Sequence, residues 1–97
     1  MQVCNVVKFK VKAGAQSAFL EAHQDGKARW PGLEQGVIIK TGEDTFCLVG
    51  TWSSQEALVA ARPAMIKTLD SFRSLLEDQG GGRGITDAVS GAVVLTL

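Results

Sequence analysis

Apolar side chains occupy both faces of the strand-like segments in this chain, and this feature limits its fold more than any other. Successive residues of a strand point to opposite faces of a sheet, so an antiparallel sheet with one face in water alternates apolar and polar residues. That alternation is absent from four segments: Val6–Val7, Val37–Ile39, Leu48–Val49 and Val93–Leu95. A second face left in water would expose more apolar surface than soluble monomers usually tolerate. We therefore expect both faces of the sheet to be covered.

Turn and helix signals divide the chain into six elements. They are a strand over 2–11, a helix from Ala15 to the residue before Pro31, a hairpin of strands 33–41 and 44–52, a helical region from Ser54 to Asp78, and a last strand over 92–97. Residues 53–56 have the form of a helix-capping box. Pro63 is predicted to split the second helical region after Ala61, because an interior proline removes a backbone hydrogen bond. The glycine-rich segment after residue 78 is expected to form a long loop that extends to Ser90.

The order β-α-β-β-α-β in 97 residues predicts an α+β, ferredoxin-like fold in a single domain over 1–97. Its antiparallel sheet would have the strand order 4-1-3-2, with both helices on one face. Because no segment remains to cover the other face, we expect an identical sheet from a second copy to pack there, giving a homodimer. The alternative is a monomer with scattered exposed aliphatic side chains.

Composition excludes several classes of function. Ten basic and ten acidic residues give a formal net charge of zero, which disfavours nucleic acid as a partner. No apolar run is long enough to span a bilayer, and the first residues lack a signal-peptide pattern, so we expect a cytoplasmic protein with no membrane partner. Cys4 and Cys47 lie in apolar runs without metal-ligand spacing, which indicates free, buried thiols and no metal site.

Three stretches, together with the element order, resemble the antibiotic-biosynthesis-monooxygenase-like proteins of the dimeric α/β-barrel superfamily. They are Gly50–Ala57, Ala61–Pro63 and Gly84–Gly91. The resemblance covers nearly the whole chain and is strongest to a small bacterial branch whose members mostly lack an assigned reaction. It implies a homodimer with one ligand pocket per subunit, between the helices and the sheet. It also implies either a cofactor-independent oxygenase or a protein without established activity.

Haem-degrading proteins of the same superfamily use an Asn on the first strand together with a His and a Trp on helical segments. Asn5 matches the first of these by residue type and strand. The helical region from Ser54 to Asp78 contains neither His nor Trp, so the resemblance does not extend to haem breakdown. We expect no cofactor.

His23 and Asn5 are the candidate catalytic residues. His23, the single histidine, falls on the apolar stripe of the first predicted helix, where it could act as a general base or could be a structural histidine bonded to a backbone carbonyl. Asn5 has the parity of the apolar residues around it, so its amide needs either a ligand or a structural hydrogen bond. No nucleophile–base pair or paired carboxylates accompany them, which disfavours a hydrolase.

Five further residues are predicted to bind the ligand: Phe9, Trp52, Arg62, Met65 and Leu69. Trp52 would supply a flat apolar wall or belong simply to the core. Arg62, next to Pro63, would bind a carboxylate or phenolate or form a surface salt bridge.

Two functional hypotheses follow. The first is a homodimer that holds a small apolar or aromatic molecule and, as an enzyme, oxygenates it without a cofactor. The second is a non-catalytic module of the same fold that binds a metabolite or serves assembly only. A cavity of at least about 300 Å³ with converging polar groups favours the first.

Overall fold

The computed structural model describes residues 1–24, 30–82 and 84–97. Within them the chain has an α+β fold of one antiparallel sheet and two α-helices. The elements are β1 (Val3–Val11), α1 (Gln16–Glu21), β2 (Leu33–Lys40), β3 (Thr45–Trp52), α2 (Gln55–Phe72), a 3-10 turn (Arg73–Leu75), β4 (Leu76–Glu77) and β5 (Thr86–Ala92). The predicted first strand and hairpin agree with β1, β2 and β3 to within about one residue at each end.

The sheet has the order β2-β3-β1, and both β4 and β5 pair with the remaining edge of β1. All the pairs are antiparallel, and β1 is hydrogen-bonded on both sides along most of its length. Asn5, the third residue of β1, lies opposite Gly50 of β3 and Ser90 of β5. The ferredoxin-like fold and its strand order are therefore confirmed, with β5 in the place of the predicted fourth strand.

The odd-numbered residues of β1 face the helices and form the core. Two clusters of buried side chains lie on this face. The first contains Phe9, Val11, Phe19, Phe46, Phe72 and Leu76, and the second contains Val3, Trp52, Leu58 and Ala61. Edge-to-face packing joins the phenylalanines, with ring centroids of Phe19 and Phe72 5.4 Å apart.

The opposite face of the sheet is covered by no described element. Register places Val37 and Ile39 of β2, Val49 of β3, Val6 of β1 and Val89 of β5 on it. Val37, Ile39 and Val89 are 42%, 46% and 66% exposed. Cys4 and Cys47 belong to the same face and are free thiols; Cys47 is buried, as predicted, whereas Cys4 is only half-buried. Because the strands carry apolar residues on both faces, the sheet face opposite the helices is an exposed apolar surface in the single chain.

The predicted break at Pro63 is wrong, because α2 runs without interruption from Gln55 to Phe72 with Pro63 inside it. Both halves of the helix are anchored in the core, the first by Leu58 and Ala61 and the second by Phe72. Their burial offsets the single backbone hydrogen bond that the proline removes. The helix also ends earlier than predicted, since Leu76 turns into the sheet beside Val11.

The predicted position of the last strand is also wrong. β5 covers Thr86–Ala92, in the segment predicted to be a loop, and residues 93–97 have no regular structure. The side chains that β5 turns toward the helices are small, so its hydrophobic pattern is weak; its position is fixed by backbone pairing to residues 3–9 of β1. Val94, Leu95 and Leu97 are largely or fully exposed and add to the apolar surface of the chain.

The first helix is shorter than predicted, since α1 ends at Glu21 and a turn follows. The His23 backbone N–H donates to the carbonyl of Leu20, three residues back. The ring Nδ1 of His23 is hydrogen-bonded to the carbonyl of Phe19. In a continuing α-helix the backbone N–H of His23 would instead donate to the carbonyl of Phe19, four residues back. The rest of the predicted helix includes residues 25–29, which lie outside the described residues.

Candidate functional site

A cavity of about 330 Å³ lies between α2 and the helix-facing side of the sheet. Six of the seven predicted site residues line it: Asn5, Phe9, His23, Arg62, Met65 and Leu69. The sheet contributes the first two, the turn after α1 contributes His23, and successive turns of α2 contribute the last three. The surrounding wall is mainly apolar, which is typical of sites for small organic ligands.

Asn5 is the one buried polar residue of the described chain, with 6% of its surface exposed. The indole Nε1–H of Trp52 donates a hydrogen bond to its Oδ1 at 2.7 Å. An indole nitrogen can only donate, so the atom it contacts must be the amide oxygen and not the amide nitrogen. The hydrogen bond therefore fixes the orientation of the Asn5 amide, and the NH2 group is left for other partners.

Trp52 does not line the cavity, although the sequence suggested it as a wall. Its ring is fully buried in the cluster with Val3, Leu58 and Ala61. Trp30 packs in parallel with it, at a centroid distance of 6.2 Å and an interplanar angle of 18°, and Trp30 does line the cavity. Trp52 thus reaches the site only through its hydrogen bond to Asn5.

His23 lies between two phenylalanine rings and is held by the backbone. Its centroid is 5.1 Å from that of Phe19 and 4.7 Å from that of Phe72. Its Nδ1 is 2.9 Å from the carbonyl oxygen of Phe19, and because a carbonyl only accepts, Nδ1 carries the proton. Burial lowers the pKa of His23 below 6.5, and the hydrogen bond to Phe19 opposes this in part. The neutral ring therefore keeps an unprotonated Nε2 that can accept a proton.

Arg62 is the charged residue among the described lining residues. It precedes Pro63 on α2, and its side chain is exposed. Within the described part of the chain it forms no salt bridge, so the surface ion pair considered for it is not observed. A guanidinium at the rim of an apolar cavity favours a ligand that carries or develops negative charge.

Sequence reasoning missed the wall that β5 provides. Thr86, Ala88 and Ser90 alternate along the helix-facing side of that strand and line the cavity. They were assigned to a loop because small and hydroxyl side chains give no apolar periodicity. Trp30, which also lines the cavity, was not among the predicted ligand-binding residues either.

A second cavity of about 350 Å³ lies on the other side of His23, toward β2. It shares His23, Trp30 and Leu48 with the first cavity. Its floor is the cross-strand pair of Gly36 and Gly50, which have no side chains to fill the space. Fewer polar side chains converge on it, so the first cavity is the better candidate site.

No group of three or more His, Cys, Asp or Glu side chains in 1–24, 30–82 and 84–97 is arranged to hold a metal ion. Neither helix in these ranges combines the length and the hydrophobicity that a membrane span requires.

No protein-family model and no curated protein matches the chain, whereas many solved structures do. A proposed antibiotic biosynthesis monooxygenase from Chloroflexus aurantiacus J-10-fl superposes with a TM-score of 0.75 at 17% identity, covering 100% of this chain and 97% of that one. SnoaB, a cofactor-independent oxygenase from Streptomyces nogalater, gives a TM-score of 0.71 at 18% identity, with 99% and 96% covered. Rv0793 from Mycobacterium tuberculosis gives 0.75 at 17% identity, with 99% and 98% covered.

At these identities the likeness establishes the fold and leaves the reaction open. It extends over the full length of the chain in each case, and it agrees with the resemblance that the sequence motifs indicated. This chain has the ferredoxin-like fold of the antibiotic biosynthesis monooxygenase-like proteins.

Proposed function

We propose that the protein binds a small apolar or aromatic molecule in the cavity between α2 and the sheet and oxygenates it without a cofactor. The observation that carries the proposal is that Asn5, His23 and Arg62 line the same mainly apolar cavity of about 330 Å³. This combination provides a proton acceptor, a hydrogen-bond donor and a positive charge, which suits a ligand that loses a proton and becomes an anion.

The chemistry needs a substrate with an acidic C–H or O–H next to an aromatic ring. His23 Nε2 takes the proton, and the Asn5 NH2 group and the Arg62 guanidinium stabilise the resulting enolate or phenolate. The anion passes one electron to O2, and the substrate radical and superoxide combine to form a peroxide. For an activated CH2 group, loss of water then leaves a carbonyl, so that one O2 is consumed for each carbonyl and each water formed. Desolvation in the apolar cavity favours the electron transfer.

Oxygen uptake with anthrone, a tricyclic ketone with an activated CH2 group, tests this proposal. We expect His23→Ala and Asn5→Ala each to lower the rate by at least about 100-fold, since a general base or an oxyanion donor contributes that much. Lys67→Ala, which removes an exposed cation from α2, is the control and should leave the rate unchanged. Uptake at the wild-type rate in the His23 and Asn5 variants would remove both residues from the mechanism.

The second candidate is a non-catalytic protein of the same fold that binds a metabolite. The observation in its favour is that the His23 ring is already bonded to the Phe19 carbonyl and packed between two phenylalanines, as a structural histidine would be. It predicts saturable binding of anthrone with no oxygen uptake above the uncatalysed rate.

We also propose that the protein is a cytoplasmic homodimer in which the uncovered sheet faces of two copies pack together. The support is the apolar face formed by Val6, Val37, Ile39, Val49 and Val89, three of which are more than 40% exposed. A second copy supplies an equally apolar surface, because a two-fold axis brings the same patch to both sides of the interface.

Light scattering coupled to size exclusion tests the dimer. We expect twice the mass of the 97-residue chain, and Ile39→Lys should shift it to the monomer mass because it places a charge in the buried face. Val59→Lys is the matched control: Val59 is also about half exposed, but it lies on α2, away from the sheet face. A wild-type protein of monomer mass would refute the dimer.

A further inference from the structure

We propose that Trp52 and Gly50 are positioning residues that hold the Asn5 NH2 group toward the cavity, so that the site selects ligands with a hydrogen-bond-accepting oxygen. Ligands that present an N–H donor at the same point are rejected. The inference rests on the proposed function in one respect, that the ligand occupies this cavity. It adds a rule of selectivity and assigns roles to two residues that do not react.

The orientation of the amide follows from the chemistry of its partner. The NH2 group and the oxygen of an asparagine have nearly the same shape, and either could face the cavity. If the amide were reversed, its NH2 group would meet the Trp52 Nε1–H, two donors 2.7 Å apart in a buried place. Both donors would then be buried without an acceptor, which makes the reversed orientation unfavourable. The Trp52 indole therefore selects the orientation with the oxygen inward.

Gly50 provides the space in which this hydrogen bond lies. It is the cross-strand neighbour of Asn5 on the helix-facing side of the sheet. A Cβ atom on residue 50 would lie 2.5 Å from Asn5 Oδ1, closer than these two atoms can approach, and 3.0 Å from Trp52 Nε1, which is tighter than an ordinary contact. Any other residue at this position would displace the pair, so the glycine is required for the bond and not for the backbone conformation.

The NH2 group is open to the cavity. No described residue accepts a side-chain hydrogen bond from Asn5 Nδ2, and no side-chain polar atom in the described part of the chain is both sealed from solvent and unpaired. Asn5 itself is among the lining residues. A fixed donor at this point pairs with a carbonyl, enolate or phenolate oxygen, and repels an ammonium group, which has no acceptor atom.

Three matched probes separate shape from hydrogen bonding. They share one bicyclic skeleton: 1-tetralone carries a carbonyl oxygen, tetralin carries no polar group, and 1-aminotetralin carries an ammonium. Calorimetry gives the three dissociation constants without relying on tryptophan fluorescence, which Trp52 variants change. For the wild type we expect 1-tetralone to bind about tenfold tighter than tetralin, as one additional hydrogen bond allows, and 1-aminotetralin to bind weakest.

Variants then test the positioning roles. Trp52→Phe and Gly50→Ala should reduce the preference for the ketone over tetralin to about twofold or less, since the amide is then free to turn or is displaced. Asn5→Asp keeps the shape but replaces the donor with a carboxylate oxygen, so it should reverse the preference in favour of 1-aminotetralin. Gly91→Ala is the control for Gly50→Ala, because a Cβ on this other strand glycine meets nothing within 4 Å. It should keep the wild-type preference.

The outcomes distinguish this inference from the proposed function. Equal binding of 1-tetralone and tetralin to the wild type would overturn the selectivity rule and leave the binding function intact, while failure of all three probes to bind would overturn both. A full preference retained in Trp52→Phe would remove Trp52 from its positioning role. If the variants do not fold, the wild type still decides: 1-tetralone must move the proton signals of the Asn5 side-chain NH2 group downfield, as a new hydrogen bond does, and tetralin must not.

Discussion

The buried pair of Asn5 and Trp52 makes a prediction about stability that needs no ligand. Asn5→Leu leaves the indole N–H buried without an acceptor, which costs about 1–3 kcal/mol. Trp52→Phe removes the donor and leaves a cavity of roughly 40 Å³, which at about 24 cal/mol per Å³ adds about 1 kcal/mol to the loss of the hydrogen bond. In the double variant the penalty for the unpaired group disappears. We therefore expect the double variant to be more stable than the sum of the single effects by about 1–2 kcal/mol.

Urea unfolding at one fixed protein concentration measures the four free energies of the cycle, because a dimer would make them depend on concentration. The control cycle combines Trp52→Phe with Arg73→Ala. Arg73 follows the C-terminal end of α2, about 27 Å along the helix axis from its start, so these two effects should add to within about 0.5 kcal/mol. Additivity in the Asn5–Trp52 cycle as well would mean that the hydrogen bond contributes nothing and would refute our account of the amide orientation.

Three further predictions concern the helices and the histidine. Ser54→Ala should lower the free energy of unfolding by about 1 kcal/mol, because the Ser54 hydroxyl accepts from the Ala57 N–H at 3.1 Å, and exposed Ser53→Ala should change it little. Pro63→Ala should raise the melting temperature, since it restores a helical hydrogen bond inside α2; a lower melting temperature would indicate a real break there. Burial lowers the pKa of His23, so as the pH falls the unfolded chain binds a proton at this residue before the folded chain does. The free energy of unfolding is therefore highest above about pH 6.5 and decreases as the pH falls toward the lower pKa of the folded state. Urea unfolding across this range should show the fall in wild type and not in His23→Phe.

The sequence was sufficient to predict the part of the site that lies on β1. Strict alternation along this strand places Asn5 and Phe9 on the buried face whatever the tertiary structure, because the period of a strand is two residues. The spacing of Arg62, Met65 and Leu69 along α2 likewise puts them on one side of a helix. Local periodicity therefore accounts for Asn5, Phe9, Met65 and Leu69, whereas Arg62 was expected at a helix break and His23 lies in the turn after α1.

The errors arose where local propensity and tertiary structure disagree. Val93–Leu97 has the composition of a strand, yet the strand forms from the less apolar residues 86–92, because pairing with β1 depends on the backbone and not on side-chain hydrophobicity. The break predicted at Pro63 does not form, because buried residues anchor both halves of α2. The sequence alone does not show this anchoring. The partnership of Trp52 with Asn5 joins residues 47 positions apart, and no local signal specifies such a contact.

The central position of β1 determines which wall of the cavity can move. Because β1 is bonded to β3 on one side and to β4 and β5 on the other, the backbone around Asn5 should be the slowest part of the chain to exchange its amide hydrogens for deuterium. His23 follows a helix of six residues, which is too short to persist by itself and depends on the burial of Phe19. A ligand would therefore meet a fixed amide on the sheet and an imidazole whose support opens more readily, so passage into the cavity should take place on the side of α1.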